Sequence, residues 1–192
     1  MSVANVLVPD LMLGFSCAQC GQCCKDWTVY VDKTSYERLQ KAFTKAKLDK
    51  GILKRNFKKN SGKTDEYNYG AVRMQSGQCG FLGENNCCQV HRDFGADHLP
   101  VVCRLFPRKI IATPRGLEFS LSLSCPEAVR RLTQLEPIRV LHNPDNFTFE
   151  QSHQYYGEIT TKMFQQTPVK KDYFQLEEQF LRLIQERRFS IQ

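Results

Sequence analysis

Nine cysteines fall in a chain of 192 residues, and four of them crowd into the run Cys17-Ala-Gln-Cys20-Gly-Gln-Cys23-Cys24. Such density serves either a disulfide framework in an oxidising compartment or thiolate ligation of metal in a reducing one. The others follow as Cys79, the pair Cys87-Cys88, Cys103 and Cys125, so distant parts of the chain can converge on one centre. Residues 1–15 have no basic start, carry Pro9 and Asp10 inside the apolar stretch and lack a small-residue cleavage pattern. That speaks against a secretory leader and for a cytoplasmic protein, where thiols stay reduced. An odd count also argues against complete pairing, so metal ligation is the expected chemistry.

Cys17, Cys20 and Cys23 reproduce the first three spacings of a ferredoxin-type run, and Cys125-Pro126 supplies a distant Cys-Pro of the kind that closes one. The match is partial, because the fourth local position is Trp27. Four thiolates in tetrahedral geometry satisfy zinc as well as they satisfy an iron–sulfur cube, so both metals stand as alternatives. His91 and His98 lie between Cys88 and Cys103. A single histidine is more often a surface or supporting group than a ligand, and His91 is held as a minor candidate.

The elements that must carry these cysteines are partly legible. Asp32, Thr34 and Ser35 precede a helical stretch to about Lys47, with Tyr36, Leu39 and Phe43 at three- and four-residue spacing. Lys58 to Asp65 reads as a polar loop, and Tyr67 to Met74 as a short strand delivering Cys79. Gly77, Gly80 and Gly83 flank that cysteine and permit backbone torsions that let amides approach a sulfur-rich centre. Cys87-Cys88 opens a short helix that Gly95 ends. Residues 108–123 alternate as a β-hairpin with its turn at Thr113 to Gly116, and Cys125 then stands at the cap of a helix reaching about Leu135, where the dipole suits an anionic ligand. Two further helices are expected at about Phe149 to Gln165 and Asp172 to Arg188. The second has Tyr173, Leu176, Phe180 and Leu183 along one stripe, read first as core and second as a dimer contact.

The fold class is therefore α+β: a small cysteine-rich, metal-stapled domain over residues 1–136 with a β-hairpin and short helices, and a helical C-terminal extension over 137–192. No apolar run approaches the roughly 20 residues of a membrane-spanning helix, so membrane insertion is excluded as a working idea. Net charge is +7, but Arg38 to Lys63 holds ten basic residues against the single acid Asp49, a local net of +9. This strip reads as a solvated surface offsetting thiolate charge. Nucleic acid is not expected as a partner, because no aromatic interleaving accompanies the charge.

The run Cys17-x-x-Cys20-Gly-x-Cys23-Cys24, followed by Cys79-x-Phe-Leu, Cys88 and Cys103-Arg-x-Phe-Pro107, resembles the bacterial zinc- or iron-chelating cysteine-cluster family, and within it the flagellin lysine-N-methylases. The resemblance spans residues 15–132, includes Ser120-Leu-Ser-Leu-Ser-Cys125-Pro-Glu127, and implies Cys17, Cys20, Cys23, Cys24, Cys79, Cys88, Cys103 and Cys125 as metal ligands, with Cys87 outside the pattern. It implies at least one 4Fe-4S cluster, with zinc as the alternative. For an enzyme it implies S-adenosylmethionine as methyl donor and the lysine of a protein such as flagellin as acceptor. The first motif is spaced more tightly than in the methylases, which are also longer, so a short relative or a metal-binding half is expected. No GxGxxG loop is present. Tyr30, Tyr67, Tyr69, Glu118 and Glu127 have the chemistry of a base but read more readily as packing, surface or capping residues. The competing function is a non-enzymatic module that chelates metal or carries electrons for a partner.

Overall fold

The computed structural model describes residues 5–25, 27–62, 68–133, 138–145, 147, 149, 157–166 and 172–185. The chain is α+β. Its strands are β1 (Val6–Pro9), β2 (Tyr30–Val31), β3 (Phe57–Lys59), β4 (Gly70–Val72), β5 (Met74–Gln75), β6 (Gln78–Cys79), β7 (Arg108–Thr113), β8 (Gly116–Leu121), β9 (Val140–His142) and β10 (Gly157–Glu158). Its helices are α1 (Lys33–Lys45), α2 (Lys50–Asn56), α3 (Gln89–Phe94), α4 (Val101–Leu105), α5 (Pro126–Leu132), α6 (Thr161–Gln166) and α7 (Tyr173–Gln185). Among the described residues no helix is long and apolar enough to cross a membrane. Contacts divide the chain into two units, residues 17–107 with 124–127, and residues 1–16 with 108–123 and 128–192. All nine cysteines belong to the first of these.

In the cysteine unit, α1 starts where Asp32 accepts the amide of Ser35 at 2.7 Å, satisfying one of the unpaired donors of the first turn. Its apolar stripe buries Leu39 and Phe43 against Val31 of β2, Phe57 of β3 and Val72 of β4. Those strands form an antiparallel sheet in the order β2-β4-β3. The basic strip is more structured than a loop: Asp49 caps α2 through the amide of Gly51 at 2.7 Å, and Phe57 inserts into the core while Lys58 and Lys59 stay exposed. The expected strand from Tyr67 breaks at Arg73 into β4 and β5, whose partner β6 is reached through the two-residue turn Ser76-Gly77, with φ of 50° and 77°. Positive φ at both positions fits the right-handed twist of a tight hairpin. Tyr67 lies outside the described residues.

The other unit is built on a five-stranded sheet in the order β10-β7-β8-β1-β9. The β7–β8 hairpin closes at the pair Thr113 and Gly116, matching the expected turn. Gly116 is required there: a Cβ would lie 1.9 Å from the carbonyl oxygen of Asn5, and its φ is +141°. Phe15 packs between the guanidinium groups of Arg108 and Arg131, whose carbons lie 5.1 and 5.2 Å from its ring centre. The helix expected from Phe149 is corrected: Gly157 and Glu158 pair in parallel with Ile111 and Ala112 of β7, and α6 begins only at Thr161. Glycine is a poor helix former, which fits a strand edge better than a helix interior. Residues 150–156 of that expectation lie outside the described residues.

Replacing Asp32 with Ala is expected to lower stability by about 1 kcal/mol, with Asn restoring most of it, since only the capping acceptor is lost. Chemical denaturation of the metallated protein under anaerobic conditions measures the difference.

Candidate metal centre

Each cysteine-bearing segment reaches the site by its own backbone logic. In the first, Gln19 and Gly21 take φ of 53° and 71°, turning the chain so that residues 22–24 form a 3-10 turn with the Cys24 amide on the carbonyl of Gly21 at 3.0 Å. Gly21 sits against the next cysteine loop so closely that a Cβ would fall 2.6 Å from the carbonyl oxygen of Asn86. Beyond it, Lys25 bridges to Gln78 of β6, which brings the run beside Cys79. Trp27 donates its indole N–H to the carbonyl of Cys23 and stacks at a tilt on Phe106. This residue fills the place of a fourth local ligand with an anchor for the third.

Cys79 ends the β5–β6 hairpin, with Gly80 donating to Arg73 at 2.9 Å and Leu82 donating to the carbonyl of Cys79 at 2.8 Å. A Leu82–Cys88 bridge and the bond from Gly83 to the carbonyl of Cys87, 2.9 Å, then fold the Cys87-Cys88 pair back over this turn. Cys88 is the cap residue of α3, and Gly95 closes that helix as expected. Cys103 lies within α4, and Cys125 directly precedes α5.

Backbone amides already point at several sulfurs. The N–H groups of Phe81 and Leu82 face Cys79, those of Val90 and His91 face Cys88, and that of Gln19 faces Cys17 at 3.3 Å. Donors two and three positions beyond a cysteine stabilise sulfur as an anion. The glycines flanking Cys79 announced the approach of amides there, whereas nothing in the sequence announced the donors at Cys88 and Cys17.

Burial and crowding act the other way. Burial, then Cys79, Cys88, Cys23 and Cys17, push the Cys103 thiol well above its ordinary range. Burial, then Cys88 and Cys23, raise Cys79 to about 11. Burial likewise raises Cys88, with Cys87 and Cys23 adding to it, and raises Cys17, with Cys23, Cys20 and Cys125 adding to it. The exception is Cys23, lowered to about 7 by the hydrogen bond that the Cys24 thiol gives it, an arrangement that raises Cys24. Within Cys23, Cys79, Cys88 and Cys103, every pair falls within electrostatic reach. Cys24 acts with Cys23, Cys79 and Cys88, while Cys17, Cys20 and Cys125 form a neighbouring set.

Among the described residues, no three Cys, His, Asp or Glu side chains stand close enough to enclose a metal ion as they are. The donor set nevertheless fits a soft cation. It is made of thiols that oppose one another's ionisation, and a bound cation would offset that opposition. Cys87 opposes the ionisation of Cys88, yet its thiol donates to Gln19 Oε1 at 3.4 Å and lines a cavity of about 290 Å³ with Gly83, Glu84, Asn85, Gln89 and Arg92. His91 Nε2 lies 3.5 Å from the Gln19 amide, and His98 Nδ1 lies 2.7 Å from the Phe94 carbonyl. Of the residues with base chemistry, Tyr69 packs on Tyr36 and Phe57, Tyr30 is 54% exposed, and Glu127 opens α5. Glu118, in the other unit, accepts a hydrogen bond from Tyr173.

Residues 16–128 match the family model CxxCxxCC, described as a zinc- or iron-chelating domain. The chain is 30% identical over 153 residues to the flagellar biosynthetic protein FliU of Salmonella muenchen, covering 76% of this chain and 82% of that protein. It is 30% identical over 154 residues to the lysine-N-methylases of Salmonella choleraesuis and Salmonella typhimurium, covering 76% of this chain and 34% of each. The chain thus spans about a third of those methylases. No solved structure matches it.

Cys23→Ser or Cys103→Ser is expected to yield insoluble or metal-depleted protein, whereas Cys87→Ser keeps its metal. Metal analysis of the three purified variants decides, and equal content in all would contradict the assignment.

Proposed function

The chain belongs to the CxxCxxCC zinc- or iron-chelating domain family, and from that membership we propose that Cys17, Cys20, Cys23, Cys24, Cys79, Cys88, Cys103 and Cys125 supply its metal ligands. What supports this reading is the family's cysteine pattern together with the quartet formed where Cys23, Cys79 and Cys88 converge on Cys103, whose ionisation all three oppose. Four thiolates are the donor number of a 4Fe-4S cluster or a structural zinc. Amides aimed at Cys79 and Cys88 supply the hydrogen bonds that ligating sulfurs accept, and Trp27 holds the Cys23 backbone in place. Cys17, Cys20 and Cys125 support a second centre or hold the first in place.

The activity we propose is methyl transfer from S-adenosylmethionine to a protein lysine, with a flagellin-like protein as acceptor. Support comes from the likeness to lysine-N-methylases and to a flagellar biosynthetic protein. In the transfer a nitrogen–carbon bond forms as the sulfonium–carbon bond breaks, and the amine must have lost its proton. When bound, the metal centre would staple the cysteine segments together or hold the donor. The second reading, a chelating or electron-carrying module, is favoured by one observation: the aligned region is only about a third of each methylase but most of FliU.

Iron, sulfide and zinc content, with a visible spectrum on anaerobically purified protein, tests the metal. Iron with matching sulfide is expected, and zinc alone would favour the structural module. S-adenosylmethionine binding to the fully metallated protein then tests the enzyme. Its failure, with the metal in place, would leave the module.

A further inference from the structure

The stripe of α7 read from sequence first as core is surface at Leu176, Phe180 and Leu183, which are 44%, 61% and 53% exposed. Its first member, Tyr173, instead reaches the sheet of its own unit and donates to Glu118 Oε2 at 3.2 Å. The other oxygen, Oε1, is buried and accepts no hydrogen bond among the described residues. It lies 3.6 Å from the Arg115 guanidinium, which also pairs with Glu177 and sits 3.8 Å from the Phe174 ring centre. One cation thus faces two carboxylates, and the carboxylates are the more enclosed: the side chains of Glu118 and Glu177 are 13% and 19% exposed against 45% for Arg115. A carboxylate shut away from water holds its charge at a cost unless donors and a counter-charge are supplied.

A cavity of about 280 Å³ opens beside this carboxylate, with Asn5, Leu7, Arg115, Glu118 and His142 in its lining. Strand register sets its floor. Leu7 of β1 pairs with Glu118 of β8 on one side and with His142 of β9 on the other. Directly paired residues share a face of the sheet, so the three form a row with Leu7 in the middle and about 10 Å between its ends. We propose that this cavity binds a primary ammonium group at the end of an aliphatic chain, the ammonium on Glu118 and the chain over Leu7. An ammonium brings three donors to a carboxylate that lacks one, and a positive charge to two carboxylates that share one guanidinium. A divalent metal fits less well, because the Arg115 guanidinium repels it and Leu7 offers it no oxygen. Burial, and then Glu118, push the Tyr173 hydroxyl up, which keeps it the donor on Oε2. Lysine carries the group that the cavity fits. That identity rests on the proposed methyl transfer to a protein lysine, whereas the ammonium chemistry rests on the cavity alone.

Titration of the full metallated chain with Nα-acetyl-lysine-N-methylamide, followed by NMR, tests this with no methyl donor present, so its outcome is separate from that of S-adenosylmethionine binding. Saturable binding at roughly 1 mM is expected. The norleucine counterpart, with the same aliphatic chain and no ammonium, should not bind, and calcium chloride should not displace the lysine compound. Glu118→Gln should weaken binding roughly tenfold or more, since a hydrogen bond between charged groups is lost. His142→Trp, on the exposed end of an edge strand, should abolish binding by filling the cavity while both carboxylates stay in place. It decides the matter if Glu118→Gln does not fold, and circular dichroism with metal content shows which variants are intact. No binding to the wild type would overturn the proposal. So would equal binding of the norleucine compound, displacement by calcium, or unchanged lysine binding in either folded variant.

Discussion

Sulfur atoms brought together inside a protein oppose each other's ionisation, and that opposition is the constraint around which the cysteine unit is arranged. Burial disfavours each thiolate, and each neighbouring thiol adds to the penalty. Cys103 is raised by burial and by four other cysteines. The chain partly answers this with backbone amides at Cys17, Cys79 and Cys88 and with the thiol–thiol bond from Cys24 to Cys23. Those devices leave the remaining thiols protonated, and a soft metal centre is the kind of group that would make thiolates of them.

Around that constraint the fold works as a set of short arms. The Ser76-Gly77 turn, the Leu82–Cys88 bridge and the approach of Gly21 to Asn86 fix where the sulfurs emerge. The sheet β2-β4-β3 and the buried face of α1 supply the apolar mass that these arms lack. Cys79 belongs to both, being part of the hydrophobic cluster and of the quartet. Cys24, Cys88 and Cys103 pack against the same cluster, so the proposed ligand set rests directly on the core.

What could be read beforehand was local. The end of α3 at Gly95 and the turn at Thr113 to Gly116 rest on neighbouring residues and lie where expected, while α1 starts at Lys33, ahead of Thr34 and Ser35, which were expected to precede it, with Asp32 as its cap. Long-range relations left no such trace. Nothing near Val6 announces that it pairs in parallel with Leu117, and nothing near Cys103 names Cys23 as its neighbour. The strand at Phe57 was hidden by two lysines on its exposed positions. In α7 the apolar period was legible, but a period tells which residues share a face and not what covers them. Leu176, Phe180 and Leu183 share a face that the described residues leave open.

The parallel pairing of β1 with β8 also bears on the order in which the chain matures. Val6 finds its partner at Leu117 and Val8 finds its own at Leu141, so the five-stranded sheet cannot close until the chain has been synthesised well past its middle. The cysteine unit pairs Tyr30 with Ala71 and Phe57 with Val72, contacts available much earlier on the ribosome. Shorter loops close at lower entropic cost. During synthesis, all four members of the quartet therefore emerge before the partner of the first strand, and Cys125 follows only after the body of that unit.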